Sequence, residues 1–122
     1  MMTIDLPVAV LRSISDKDDR YQALMVWCPG CEDVRLDDGT KYGGLHMLPV
    51  TGDREKRPTW EWNRNLIKVT LSPSILTKTT RDESEFICHS FLQEGMWKFL
   101  GDCSHSLANK TVPMSPLPEW AI

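Results

Sequence analysis

Two groups of residues in this 122-residue chain have the types and spacing that chemistry needs. The first is Cys28-Pro29-Gly30-Cys31. In such a CxxC knuckle, proline fixes the turn and glycine permits positive φ, so two sulfurs and nearby amides converge on one cation. The second is a set of donors toward the C-terminus, Cys88, His89, Cys103 and His105, with His46 more isolated between the two groups. A tetrahedral zinc site takes four nitrogen or sulfur ligands. The expected set is Cys28, Cys31, Cys88 and His105, with Cys103 as the next candidate, His89 after it, and His46 as a further replacement. The expected cofactor is structural Zn2+, and no catalytic residue is assigned.

A thioredoxin-like redox pair shares the CxxC spacing but opens a helix inside a βαβ unit, and the polar, glycine-bearing stretch after Cys31 offers no such helix. Four cysteines would also suit two disulfides in an exported protein. The N-terminal segment, however, lacks the basic flank and small-residue cleavage site of a secretory signal, and no apolar run nears the roughly 18 residues that cross a bilayer. A reducing, cytoplasmic compartment is therefore expected, where thiolates bind metal. The competing account for Cys88 and Cys103 is plain burial, since free cysteine is among the most buried residue types.

The elements that would position these ligands are strands. Residues 6–11 read as an edge strand or arm, 21–27 as a buried strand leading into the knuckle, and 45–50 as the returning strand of a long-looped hairpin. Trp60 and Trp62 share one face of a further strand. Residues 67–71 alternate as a half-buried strand that Ser72-Pro73-Ser74 ends, and 77–85 form a charged loop. Residues 86–99 make the clearest hairpin, turning at Gln93-Glu94-Gly95; if the turn is the pair Glu94-Gly95, Cys88 and Cys103 lie on one face, whereas a shift by one residue puts Cys103 on the face of His89. One helical turn is expected at 104–109, with Ser104 as its cap and Asn109 at a left-handed end. The fold class is mostly β, built of hairpins around a zinc-ribbon-like site. One domain spans 1–122, with an N-terminal arm at 1–20, a metal-bearing core at 21–112 and an extended proline-rich tail at 113–122.

Taken in order, Trp27-Cys28-Pro29-Gly30-Cys31, Leu45-His46-Met47-Leu48-Pro49-Val50, Trp60-Glu61-Trp62-Asn63, Thr70-Leu71-Ser72-Pro73-Ser74-Ile75, Cys88-His89-Ser90-Phe91 and Gly101 to Ala108 carry a resemblance. The chain resembles a family of small, mostly bacteriophage-encoded proteins that sometimes carry an ammonia monooxygenase label. Two positions depart from that pattern: Val69 stands in place of a proline and Asn109 in place of a glycine. The resemblance implies a phage origin and a host-cell location, and it strengthens the metal reading without supplying an activity.

Three functions remain open. In the first, a zinc-stabilised domain acts through protein–protein contact with a host or phage protein, interfering with a host enzyme or defence complex. In the second, a zinc hydrolase keeps one coordination position for water, with Asp102 or Glu85 as base and His89 as acid or base. In the third, a zinc ribbon binds nucleic acid through Arg54, Lys56, Arg57, Arg64 and Lys68 around Trp60 and Trp62. The formal charge of -3, from 14 basic and 17 acidic residues, disfavours nucleic acid, and nothing suggests a membrane. The first reading leads, so an enzyme is not the expectation.

Overall fold

The computed structural model describes residues 6–14, 20–32, 43–51, 59–81 and 84–122. The described residues build two antiparallel sheets. In the smaller, β1 (Ala9–Ser13), β2 (Gln22–Trp27) and β3 (Leu45–Pro49) lie in chain order. The larger has five strands, also in chain order: β4 (Glu61–Trp62), β5 (Leu71–Arg81), β6 (Ser84–Gln93), β7 (Met96–Phe99) and β8 (Thr111–Pro113). The expected mostly-β class holds.

Strand β2 is apolar on both faces, and Ala23, Leu24, Met25 and Val26 are all buried, so it lies central between β1 and β3. The core joins both sheets: Leu24, Val26 and Leu48 from the first meet Leu71, Ile75, Cys88, Leu92, Trp97 and Phe99 from the second, together with Val69 just before β5. The C-terminal segment closes this core. Leu117 is fully buried, its amide donates to the Pro7 carbonyl at 2.8 Å, and Trp120 meets Trp27 edge-on at 6.2 Å between ring centroids.

The β6–β7 hairpin turns at Glu94-Gly95 with Gln93 opposite Met96 and Ser90 opposite Phe99, the first of the two registers that the sequence left open. Both turn residues have positive φ, 49° at Glu94 and 77° at Gly95, as a two-residue hairpin turn requires. Alternation along β6 then separates its two faces. Cys88, Ser90 and Leu92 are buried, while Ile87, His89 and Phe91 on the other face are partly exposed.

Three expectations are corrected. The strand expected at 67–71 instead starts at Leu71 and runs through Pro73 to Arg81, with a register irregularity between Leu71 and Ile75. A bulge is one of the few places where a sheet accommodates proline, so Pro73 marks the irregularity and not the strand's end. Residues 77–81, expected in a charged loop, pair with 84–88. Residues 104–109 form turns without a helix, because the Ser104 hydroxyl bonds the amide and carbonyl of Ile87 instead of capping. Asn109 does adopt the expected left-handed conformation, φ 64°.

Candidate functional site

Two side-chain clusters occupy opposite faces of β6. On the core face, the Cys28 and Cys88 sulfurs lie 3.7 Å apart, and Cys88 Sγ is 3.2 Å from His105 Nε2. Each belongs to a trio whose donor atoms all lie within 4.8 Å of one another: Cys28, Cys31 and His46, and Cys88, Cys103 and His105. All four expected ligands are thus brought to one region, divided between two groups that meet at the Cys28–Cys88 contact. The basic residues 54, 56 and 57 lie outside the described residues.

The knuckle is fixed by the Cys31 amide donating to the Cys28 carbonyl at 3.1 Å, and the Cys28 amide donates to Gly44. Gly30 was expected for positive φ. Among the described residues Gly95 is the glycine with that conformation, and what Gly30 supplies is space: a Cβ there would stand 2.5 Å from His105 Nε2 and 2.8 Å from a Phe99 ring carbon. His105 therefore presses directly on the knuckle, and Phe99 packs edge-on against its ring at 4.9 Å.

Crowded thiols cannot all ionise without a cation. Hydrogen bonds from Cys31 and then Cys88 drive the Cys28 thiol far below its ordinary range against the cost of burial. In return, the hydrogen bond to Cys28 and burial push Cys31 up to about 12, and contact with Cys28 and Cys31 drives Cys88 far higher. Burial lowers the His105 value, with the Cys28 charge opposing. A divalent cation would stabilise all three thiolates at once.

The donor chemistry fits a thiophilic metal such as zinc. A tetrahedral centre with bonds of about 2.3 Å to sulfur sets neighbouring sulfurs roughly 3.8 Å apart, close to the Cys28–Cys88 separation. Two imidazoles compete for the last position. His105 Nδ1 accepts the Leu107 amide at 3.1 Å, which leaves the proton on Nε2, the atom facing Cys88. His46 Nε2 is buried with no hydrogen-bond partner among the described residues.

The open face holds a different arrangement. Ser74 Oγ lies 3.0 Å from His89 Nε2, and His89 Nδ1 lies 3.1 Å from Asp102 Oδ2. Leu76 is the cross-strand partner of His89, which places Ser74, two residues earlier, on the same face and diagonal to the imidazole. The histidine side chain is 26% exposed and the aspartate 53%, so the line of groups opens to solvent at its middle and at its aspartate end.

Backbone contacts hold all three members. The Trp60 indole donates to the Ser74 carbonyl at 3.3 Å. The Cys103 sulfur lies 3.2 Å from both the amide nitrogen and the carbonyl oxygen of His89, and the Leu100 amide donates to that same carbonyl. Asp102 sits in the short turn between Leu100 and Cys103.

A nucleophile, a base within hydrogen-bond reach and a carboxylate orienting that base define the class of serine hydrolases by geometry. The chain order here, serine then histidine then aspartate, differs from the orders in chymotrypsin-like, subtilisin-like and α/β-hydrolase enzymes. Residues 6–100 match the family described as bacterial ubiquitination-like system serine protease (BubE), and the chain belongs to that family. No curated protein and no solved structure matches.

The sequence offers His89 as a later-choice zinc ligand or a hydrolase acid or base and Asp102 as a hydrolase base, and it gives no sign that Ser74 lies beside them. The available signal was alternation: if Cys88 faces the metal, His89 must face away. The phage origin implied by the resemblance has no counterpart in the family description. No helix among the described residues is long and apolar enough to cross a membrane.

Proposed function

We propose that this chain is a serine peptidase whose nucleophile is Ser74, base His89 and orienting carboxylate Asp102. The carrying observation is the unbroken line of contacts from Ser74 Oγ through both imidazole nitrogens to Asp102 Oδ2. Ser74 Oγ attacks the scissile carbonyl while His89 Nε2 takes the hydroxyl proton. The imidazolium returns that proton to the leaving amine as the C–N bond breaks, leaving an acyl ester on Ser74. Water, deprotonated by His89, then hydrolyses the ester and restores the enzyme. Asp102 holds the Nδ1–H tautomer and stabilises the imidazolium.

The family description directs the search for substrates to proteins of a bacterial ubiquitination-like system. Recognition of a bacterial protein is retained from the expectation of a protein–protein role, with cleavage as its outcome. A serine nucleophile removes the need for a metal-bound water, which favours a structural metal. On this reading Cys28, Cys31 and Cys88 supply three thiolates and one imidazole completes the set. The expected His105 competes with His46, and the Leu107 contact on His105 Nδ1 favours His46, since a ligating imidazole ordinarily carries its proton on the other nitrogen.

The test is covalent. A fluorophosphonate should add to Ser74, located by peptide mass mapping, and Ser74→Ala and His89→Ala should abolish the adduct. Absence of an adduct on the folded wild-type chain defeats the peptidase reading. Zinc content in His46→Ala and His105→Ala decides the imidazole.

A further inference from the structure

We infer that the open edge of β5 beyond Ser74 is the substrate subsite, and that it takes an extended, unstructured stretch of a protein substrate as an added β-strand; this rests on Ser74 being the nucleophile. On one side β5 is covered by β6 from Ile75 to Arg81. On the other, β4 pairs only with Leu71 and Ser72, and the Trp60 indole caps the carbonyl of Ser74. Among the described residues, cover on that side ends at Ser74 itself.

Hydrogen-bond direction identifies the groups exposed beyond it. The backbone groups of Ile87 and His89 point toward the β7 side, where they meet Ser104, Leu100 and Cys103. Cys88 and Ser90 must then point toward β5, where their partners are Thr77 and Ile75. Leu76 and Lys78, intervening in β5, direct their amides and carbonyls outward, and among the described residues none bonds to them. Their side chains are exposed as well, Leu76 at 56% and Lys78 at 58%.

An edge left unpaired among the described residues is a template for another chain, and β-augmentation is a common mode of peptide recognition. Continuity with the nucleophile selects the occupant. A peptide pairing with Leu76 and Lys78 is led along the edge to Ser74, where Trp60 and β4 stop the ladder. Main-chain pairing requires a segment already free of its own secondary structure, such as a protein's terminal tail, and tolerates many sequences. Leu76, beside His89, offers one apolar contact for discrimination, while Lys78 discourages pairing between two copies of the edge.

The test uses a quenched fluorescent dodecapeptide library, with 4-nitrophenyl acetate turnover and fluorophosphonate labelling as controls independent of strand pairing. Lys78→Pro removes an outward N–H without touching the β6 ladder. It is expected to lower kcat/KM for cleaved peptides by about tenfold or more while leaving both controls within about twofold of wild type. Lys78→Ala, which keeps the amide, is expected to cleave like wild type. Should Lys78→Pro fail to fold, backbone N-methylation of the best-cleaved peptide decides, with sensitivity alternating every second residue. Unchanged cleavage by folded Lys78→Pro, equal loss in Lys78→Ala, N-methyl sensitivity without that alternation, or ester turnover with no cleaved peptide overturns the inference. An unlabelled wild-type chain instead takes down the Ser74 reading.

Discussion

Cys88 and His89 are chain neighbours, yet one lies 2% exposed in a thiol cluster at the centre of the core while the other lies in a hydrogen-bonded line open to solvent. The cluster joins two sheets, linking the Cys28 knuckle after β2 to the middle of β6. The line of Ser74, His89 and Asp102 is confined to the larger sheet and the turn beyond it. Burial suits a centre that supports structure, and exposure suits one that turns over substrate.

The largest expected effect tests the closed side. Cys28→Ser/Cys31→Ser should abolish bound zinc and, because a structural metal contributes its binding energy to folding, cost on the order of several kcal/mol, read as a large fall in Tm. A strong chelator should do the same to the wild type. On the open side, Ser74→Ala should remove turnover by about 10³-fold or more with Tm nearly unchanged, since a partly exposed hydroxyl is lost. Together these variants separate the two sites: one loses metal and fold, the other only chemistry.

Asp102→Asn should have a smaller effect. A buried orienting aspartate is worth about 10⁴ in kcat, but this carboxylate is half exposed and water screens it, so a loss of roughly 10- to 100-fold is expected in steady-state kinetics. Cys103→Ala should sharpen the boundary between the sites. Its sulfur touches the His89 backbone, so kcat should fall by about three- to tenfold with zinc retained. A parallel loss of zinc would move Cys103 to the metal side. Smallest is Trp60→Phe, which removes one indole hydrogen bond to the Ser74 carbonyl and should cost about threefold in kcat.

The closed site was the more legible in the sequence. A CxxC knuckle is local, and the Glu94-Gly95 turn fixes which face Cys88 takes, so two short-range signals reach most of the candidate donors that the fold brings together. His46 was harder, because its approach to Cys28 and Cys31 comes from the pairing of β2 with β3. The line of Ser74, His89 and Asp102 has no local signal: its members are spread over three segments, and nothing around Ser74 resembles a nucleophile elbow. Pro73 obscured it further. Read as the end of a strand, it cut β5 away from its partner, and Thr77, Lys78, Thr79, Thr80 and Arg81 then looked like loop because β-branched threonine on an open edge gives little apolar alternation.

The placement of both centres on β6 has a genetic consequence. Substitutions on one face of this strand leave the other face's side chains where they are, so within β6 the two centres can change separately and Cys103 is where they touch. Insertion or deletion of a single codon between the turn and Cys88 would exchange the faces, turning the thiol outward and the imidazole into the core. Divergence in β6 is therefore expected to proceed by replacement at positions other than Cys88 and His89, and not by gaps.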